Sequence, residues 1–231
     1  MSLRGFVLFF CVFGFLHSCK NDTVVPADAG YNYFPVTVGH YCVYDVDSVV
    51  YDDFEHDTDY YHYQIKEVLE SVYSDNEGRE AIRVERYKRS NDTLPWVISR
   101  VWSFCRTQTT AEKIEENERF IRLTFPVRKD KQWNGNAFNT IGEWKYKYTS
   151  VDEPFMLNNI SFDSTLLVVQ KNESNLLNHR YYEERYAKKV GMIEKNVIDV
   201  YDDTLIIGVP VINRIYGGVQ YSIKLTEWGQ Q

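Results

Sequence analysis

The chain has 231 residues, which is enough for one domain of ordinary size or two small ones. Its formal net charge is −7, and it lacks the stripe of clustered Lys and Arg that a phosphate-binding face needs, so nucleic acid is excluded as a partner. Aromatic residues make up 16% of the chain, including 18 Tyr, and this favours strands because flat rings pack well on a pleated, half-buried surface.

The N-terminal segment differs from the rest of the chain. Arg4 is the only charged residue before Lys20, and residues 5–16 read GFVLFFCVFGFL. A short positive start followed by about a dozen apolar residues is typical of a secretory signal peptide. A membrane-spanning helix needs roughly 20 apolar residues. We therefore predict a signal peptide over residues 1–18, with a short membrane anchor or a buried helix as the alternatives.

The segment ends in Leu16-His17-Ser18-Cys19, which resembles a bacterial lipobox. An aliphatic residue stands three positions before the cysteine and a small residue directly before it, while His17 departs from the motif. The resemblance implies that the sulfur of Cys19 receives a diacylglycerol and that cleavage leaves Cys19 as the acylated first residue. Each buried methylene contributes about 0.8 kcal/mol, so two or three acyl chains anchor a protein to the membrane effectively permanently. The alternative is a cysteine that lies by chance after a signal peptide cut elsewhere.

Residues 19–32 contain little to bury and predict a flexible tether between the lipid and the folded domain. Lys20, rather than Asp, follows the cysteine, and this favours transport to the outer membrane under the rule known from other Gram-negative lipoproteins. Both faces of that membrane, periplasmic and external, stay open as locations. The predicted membrane contact is through the N-terminal lipid.

Cleavage and acylation would leave Cys42 and Cys105 as the two remaining thiols. In an oxidising envelope compartment they could form a disulfide worth roughly 4 kcal/mol. The alternative, which we favour, is two separately buried small hydrophobic side chains.

Alternation of apolar and polar residues dominates the chain from residue 33 onward. It is clearest in RFIRLTF, EWKYKYT and GVQYSIKLTE, where Arg122, for example, falls on the predicted wet face. Weaker strands are predicted in HYCVYDV, YHYQIKEV, EAIRVERY, WVISRVWSF, TLLVVQK and TLIIGVPVI, while LLNHRYYEERYAKK fits a strand or three helical turns. We predict a single all-β domain over 33–231, a strongly curved antiparallel sheet forming a partly closed barrel or a sandwich with little helix. A split near VRKDKQWNGN is the alternative.

Two stretches are similar to segments of Bacteroidota-type cell-envelope lipoproteins. NYFPVTVGHYCVYDV resembles their opening, with Phe34-Pro35, Gly39, Tyr41 and Tyr44 matching and Cys42 at a position where tryptophan is common. RYAKKVGMIEK resembles their late strand–turn–strand. The resemblance implies an exported, lipid-anchored protein with an all-β body and brings no activity or site residues with it.

Motifs for metal, cofactor or covalent chemistry are absent from the sequence. The acidic run YDVDSVVYDDFEHDTDYYH lacks the Gly and the ligand spacing of a calcium loop and fits a solvated loop between strands. No His or Cys spacing suits zinc, and no nucleophile elbow or phosphate-binding loop occurs. We predict no cofactor and no metal. Carboxylate pairs for glycoside hydrolysis meet in space rather than in sequence, so Glu115 with Glu116, or Glu183 with Glu184, are guesses.

Aromatic residues offer a second kind of site, because Tyr and Trp on an exposed sheet face can stack on sugars or bind a protein partner. The residues that could form such a platform are Tyr60, Tyr61, Tyr63, Trp144, Tyr146, Tyr148, Tyr181 and Tyr182. A role in the core is the interpretation we favour for them.

The triplet Asp-Ser/Thr followed by an aliphatic residue or Thr is more frequent than the composition predicts. It resembles the O-glycosylation acceptor of Bacteroidota envelope proteins, which implies glycans on Thr23, Ser48, Thr93, Ser164 and Thr204. The alternative is that Asp-Ser/Thr simply makes a good turn before a strand.

These observations leave three functional hypotheses. The first is a lipid-anchored outer-membrane protein whose all-β domain binds or scaffolds an envelope protein or glycan without catalysis. The second is a carrier whose curved sheet holds a lipid or another apolar ligand, which requires an apolar cavity of several hundred Å³. The third is a hydrolase of envelope glycans or peptides, which requires clustered carboxylates or a Ser/His pair in a cleft.

Overall fold

The computed structural model describes residues 28–231, which form twelve strands and two short 3₁₀ turns. The strands are β1 (His40–Asp52), β2 (Asp57–Ser74), β3 (Glu80–Arg89), β4 (Val97–Arg106), β5 (Thr110–Glu115), β6 (Glu118–Thr124), β7 (Gln132–Asn134), β8 (Lys145–Leu157), β9 (Ile160–Ser174), β10 (Asn178–Ala187), β11 (Gly191–Tyr201) and β12 (Gly217–Gln230). The 3₁₀ turns are Tyr31–Tyr33 and Val211–Asn213. Within this range no helix has the length and apolar character needed to cross a membrane.

All twelve strands belong to one antiparallel sheet in the order β6-β5-β4-β3-β2-β1-β12-β11-β10-β9-β8-β7. The first strand pairs with the last, so β1 and β12 join the two halves of the chain at the centre of the sheet. The predicted all-β, strongly curved antiparallel sheet is confirmed. The segment LLNHRYYEERYAKK resolves as the strand β10 rather than a helix.

The two edges of the sheet, β6 and the segment after β7, approach each other. The backbone N–H of Ile121 donates a hydrogen bond of 2.8 Å to the carbonyl of Gly135, and the indole N–H of Trp133 donates one of 2.9 Å to the carbonyl of Ile121. An isolated bridge also joins Arg119 and Phe138. The sheet is therefore nearly closed into a barrel, which decides between the two architectures that the sequence left open.

One predicted strand is wrong. The run TLIIGVPVI lies in the loop between β11 and β12. Its last two residues are the first two of the second 3₁₀ turn. Gly208 has a positive φ of 85°, and Pro210 has no N–H to donate to a sheet, so the chain leaves the β conformation there despite its apolar composition. Ile207 consequently lies 84% exposed.

The N-terminal part of the described chain lies against one end of the barrel. Tyr33 and Phe34 are buried in a cluster with Leu123, Phe125 and Leu166. Residues 28–32, which the sequence assigned to the tether, are bound to the body: the carbonyls of Ala29 and Asn32 accept hydrogen bonds from the N–H groups of Val127 and Lys189 at 3.0 and 2.7 Å. We call this the closed end.

Because consecutive strands are antiparallel, their loops alternate between the two ends of the barrel. β1 starts at His40 beside the closed end and runs to Asp52, so the β1–β2, β3–β4, β9–β10 and β11–β12 loops all lie at the opposite end. We call this the open end, because charged side chains and a cavity, rather than a packed apolar cluster, fill the interior beneath it.

Candidate functional site

A continuous chain of charged side chains crosses the interior of the barrel. Its members come from six strands, alternate in sign and run in the order Arg86, Glu67, Lys113, Glu115, Arg122, Glu184 and Lys195. We call it the charge chain. Glu67, Arg122 and Glu184 are almost completely buried. Buried charges are costly unless they are paired, so this alternation is what allows the group to exist inside the fold.

The tightest part of the charge chain surrounds Glu184. Its Oε1 lies 3.0 Å from Nζ of Lys195 and 3.5 Å from a terminal guanidinium nitrogen of Arg122, while its Oε2 accepts a 2.6 Å hydrogen bond from the hydroxyl of Tyr186. Glu115 is held in the same way, with Arg122 at 3.1 Å and Lys113 at 3.0 Å. The contacts of 3.0 and 3.1 Å have the length of charge-assisted hydrogen bonds, whereas Arg122 and Glu184, at 3.5 Å, form a longer ion pair.

The electrostatics keep this part of the charge chain ionised. Burial alone would raise the pKa of Glu184, but the charges of Arg122 and Lys195 outweigh it and lower the pKa to about 2. In the same way the charges of Lys113 and Arg122 overcome burial and hold the pKa of Glu115 well below its usual range. Burial works against the charge of Lys195, but the carboxylate of Glu184 raises its pKa above the ordinary value.

The end of the charge chain at Arg86 and Glu67 is looser. Nε of Arg86 lies 3.6 Å from Glu67, and Nζ of Lys113 lies 3.5 Å from the same oxygen, so neither contact has the length of a good hydrogen bond. Both cations lie over the Trp102 ring, each 4.2 Å from its centroid. Among the described residues, Nε of Arg86 is buried and has no hydrogen-bond partner.

Between the charge chain and the open end lies a cavity of about 250 Å³. Five members of the charge chain line it, together with Ser48, Tyr63, Trp102, Met192 and Tyr221. On the closed-end side of Glu67 and Lys113 is a second cavity of only about 40 Å³, whose lining includes Phe34, Leu69 and Phe104. The interior thus changes from packed aromatic core at the closed end to a charged, partly open chamber at the other.

The sequence did not reveal this site, and it placed Arg122 on the wrong side of the sheet. The alternation in RFIRLTF puts Arg122 on the wet face, but the pairing of β5 and β6 shifts between Ala111 and Glu112, so Arg122 is the extra residue of a β-bulge. The bulge turns its side chain inward beside Leu123. One feature of the sequence could have indicated a charged interior: Glu67 occupies an inward position of the alternation in YHYQIKEV, where an apolar residue is expected.

The two cysteines of the described chain, Cys42 and Cys105, are free and buried, and the fold separates them. Cys42 points into the barrel core with Tyr44. Trp102 and Phe104 also pack inward, so Cys105 between Phe104 and Arg106 points outward, where it pairs across strands with Glu112. Side chains on opposite faces of a sheet do not meet, so this fold does not form the disulfide that the sequence left open.

Cys42 also lies near a histidine, as a catalytic thiol would. Its sulfur is 3.6 Å from Nε2 of His40, but the thiol and the ring both contact the carbonyl of Val190, the thiol at 3.5 Å and the ring nitrogen at 2.8 Å. Burial raises the pKa of Cys42 to about 12. A thiolate nucleophile is therefore not available at neutral pH.

The remaining predicted site residues do not converge on one place. Cys19 and Thr23 lie outside the described residues. Ser48 lines the cavity, and the hydroxyl of Ser164 is hydrogen-bonded to Tyr33 and Asp152 at 2.7 and 2.8 Å. Thr93 and Thr204 are exposed on loops at the open end, where a glycan has room.

The acidic run forms the β1–β2 hairpin, and its carboxylates are spread along it. Asp47 contacts His62 at 2.8 Å, and Asp52 accepts hydrogen bonds from the N–H groups of Phe54 and Glu55. Over residues 28–231 no group of three or more His, Cys, Asp or Glu side chains is placed to hold a metal ion.

The aromatic residues singled out in the sequence do not form one platform. Tyr146 and Tyr148 are fully buried in the core, and Tyr63 lines the cavity, whereas Tyr60 and Tyr61 are exposed. The others are half-buried: Trp144 and Tyr182 pack edge to face at 5.0 Å, and Tyr181 donates a 2.7 Å hydrogen bond to Glu183.

The guessed carboxylate pairs are also separated. Glu115 and Glu184 belong to the charge chain, whereas Glu183 points to the outer face and Glu116 lies in the turn that follows β5. Glu116 contacts Arg100 at 2.8 Å, and Glu183 accepts a hydrogen bond from Asn196 at 3.0 Å. Consecutive residues of a strand point to opposite faces, so Glu183 and Glu184 on β10 cannot share a site.

No protein-family model matches the chain, and a search of the curated proteins finds no match. Among solved structures, the chain is similar to a candidate exported protein with a YmcC-like fold from Bacteroides fragilis, with 7% identity, a TM-score of 0.46, and coverage of 85% of this chain and 98% of that one. It is also similar to a candidate lipoprotein from Parabacteroides distasonis, with 13% identity, a TM-score of 0.31 and the same two coverages.

Proposed function

We propose that this protein is a lipid-anchored protein of the cell envelope, held at the outer membrane, whose barrel binds a small polar ligand without catalysis. The observation that carries the proposal is the cavity of about 250 Å³ between the charge chain and the open end. Binding sites are concave and combine apolar walls with a few placed polar groups. Here Tyr63, Trp102 and Tyr221 supply the walls, and Arg86 and Lys195 supply the charge.

The interior favours a polar ligand over a lipid. An apolar carrier needs a cavity of roughly 300 Å³ or more with apolar walls. The apolar part of this barrel is filled by its own aromatic side chains, Tyr33, Tyr146 and Tyr148 among them, and the cavity beside it measures only about 40 Å³. The chamber with room for a ligand is the charged one.

The protonation states favour binding over hydrolysis. A glycosidase needs one carboxyl that is protonated near neutral pH to act as the general acid. The interior carboxylates next to Arg122, Glu115 and Glu184, both have lowered pKa values, so both are ionised and act as partners of the cations. Cys42 is held as a thiol.

The position of the anchor would leave the cavity accessible. The described chain begins at the closed end, so a lipid on Cys19 would hold that end toward the membrane and turn the open end away from it. The loops around the open end carry Thr93 and Thr204, which are the two predicted glycan acceptors that are exposed within the described part of the chain. Glycans there would surround the cavity entrance without occupying it.

We expect Cys19→Ala to prevent lipid attachment and to leave unlipidated precursor outside the membrane fraction, because the thioether to diacylglycerol is the proposed anchor. The measurement is membrane fractionation with the intact mass of the protein. Cys105→Ala is the control, since this thiol is buried in the barrel wall and far in sequence from the anchor. A Cys19→Ala variant that fractionates with membranes at the normal lipidated mass would show that the lipobox interpretation is wrong.

We expect the wild-type protein, purified from its native envelope in detergent, to carry a small molecule that native mass spectrometry detects as a discrete mass addition. Ser48→Trp should abolish that addition, because Ser48 lines the cavity and an indole would fill much of it. Ser161→Trp is the control, because Ser161 is exposed beside the β8–β9 turn, which lies at the closed end and away from the cavity. Retention of the same mass addition by Ser48→Trp would contradict binding in this cavity.

A further inference from the structure

We propose that the ligand of the interior cavity is a small organic anion, with a carboxylate as its charged group and a ring as its body. This inference rests on the proposed function, since it assigns a chemical class to the ligand of the same cavity. Four features of the barrel carry it: the charge balance of the interior, the incomplete pairing of Arg86, the cation at the entrance and the shape of the walls.

The charge chain begins and ends with a cation. Its alternation from Arg86 to Lys195 contains four cations and three carboxylates, so the buried group has one formal positive charge in excess. Both terminal residues line the cavity. An uncompensated charge in a low-dielectric interior is costly, and one ligand carboxylate would balance it.

Arg86 is the end of the charge chain that has bonding capacity left. Its only carboxylate partner in the described chain is Glu67, at 3.6 Å, and that carboxylate is shared with Lys113. Its Nε is buried without a partner, as Nε of Arg122 also is, but Arg86, unlike Arg122, lines the cavity, and its guanidinium carbon lies 4.2 Å from the centroid of the Trp102 ring. A guanidinium offers a fork of donors that matches a carboxylate, and stacking on an aromatic ring keeps the edge with those donors free.

A cation also lies at the entrance, in contrast to the acidic character of the protein as a whole. Nζ of Lys88 lies 3.8 Å from the centroid of Tyr63, which lines the cavity, and Lys88 is exposed toward the open end. The whole chain has a net charge of −7. Cations concentrated at a concave site on an acidic protein create a local field that attracts small anions and repels cations.

The walls define the rest of the ligand. Tyr63 and Tyr221 present rings to the cavity, and Met192 adds a polarisable side chain. Flat rings favour a flat or ring-shaped partner. A volume of about 250 Å³ lies just below the range of roughly 300–1,000 Å³ typical of pockets for drug-sized ligands, which fits a single-ring acid. An aromatic acid and an acidic sugar share this chemistry.

The test is isothermal titration calorimetry on the full-length protein at low ionic strength with four probes: benzoate, glucuronate, glucose and benzylamine. We expect benzoate or glucuronate to bind, and glucose and benzylamine to bind at least tenfold more weakly. Binding of benzoate alone would identify a free aromatic acid as the ligand class, and binding of glucuronate alone would identify an acidic sugar. Equal binding of benzylamine and benzoate, or binding of none of the probes, would overturn the proposal.

Arg86→Gln should weaken binding of the carboxylate probe at least tenfold, and Arg86→Lys should restore part of the affinity. Arg83→Gln is the matched control, because Arg83 lies on the same strand with its side chain on the outer face, paired with Glu70 and Glu85. Thermal unfolding of each variant checks that the barrel is intact. Unchanged affinity in a folded Arg86→Gln variant would also overturn the proposal. Failure of these tests while Ser48→Trp still removes the native ligand would reject the anion class alone, and retention of that ligand would reject the cavity itself.

Discussion

Replacing Glu184 with Gln should lower the free energy of unfolding by about 3–5 kcal/mol, because it leaves Arg122 and Lys195 buried without their shared carboxylate. Gln has the same shape and can still accept the hydrogen bond from Tyr186, so the change removes charge rather than volume. Urea unfolding at neutral pH measures the difference. Glu173→Gln is the control: its partner Lys171 lies at 2.7 Å near the surface, where solvent screens a salt bridge and the change in stability should be small.

The same carboxylate predicts how stability depends on pH. The pKa of Glu184 is about 2 in the folded protein and near 4.3 in an unfolded chain, so the unfolded state binds more protons in the interval between them. Its contribution is therefore fully present above about pH 5 and is lost as the pH falls toward 2. The stability difference between wild type and Glu184→Gln should shrink over that interval. A difference that stays constant down to pH 2.5, or that is below about 1 kcal/mol at pH 7, would contradict the buried charge chain.

Gly135→Ala should destabilise the barrel by roughly 1–3 kcal/mol, because a Cβ at this position would overlap the ring of Tyr146. Tyr146 is 1% exposed and cannot move without disturbing Trp133 and the core around it. The carbonyl of Gly135 also accepts the hydrogen bond from Ile121 that joins the two edges of the sheet. Urea unfolding measures the loss, and amide hydrogen exchange at Ile121 reports whether the closure loosens.

Gly229→Ala is the matched control for this substitution. A Cβ at Gly229 would approach the ring of Tyr41 to 3.0 Å, but that ring lies near the surface, its hydroxyl donates a hydrogen bond to the exposed Glu227, and the flexible side chain of Lys66 lies over it. The ring can therefore rotate away at little cost, and the expected loss is below about 1 kcal/mol. Equal losses for the two substitutions would show that the fit of Gly135 against Tyr146 does not limit the stability of the barrel.

Much of the wall of the barrel could be predicted from local patterns. The alternation in EWKYKYT places Tyr146 and Tyr148 on one face, and both are buried together; the alternation in GVQYSIKLTE does the same for Ile223 and Leu225. Period-2 patterns are reliable where one face is apolar and the other polar, because they depend only on neighbouring residues of one strand. They fail at TLIIGVPVI, where Gly208 and Pro210 redirect the backbone, and at Arg122, where a bulge changes which face a residue meets.

The candidate site could not be predicted in this way. Glu184 and its partners Arg122 and Lys195 lie on three different strands. No feature of the neighbouring sequence distinguishes Glu184 from Glu183, which faces outward. The same applies to Cys42 and Cys105, whose separation depends on which face of its strand each occupies. Partners this far apart in sequence meet only through the register of the whole sheet.

The sequence by itself therefore determined the fold class, because a strand with one apolar face has an apolar residue at every second position. It also predicts the signal peptide and the lipid on Cys19, which depend on a contiguous stretch of residues. The tertiary structure alone decided that the sheet closes into a barrel, that charges rather than apolar side chains fill one end of it, and that a cavity with excess positive charge remains there. These features arise from pairing between distant strands and from one bulge, and the energies of such contacts depend on positions that no single segment specifies.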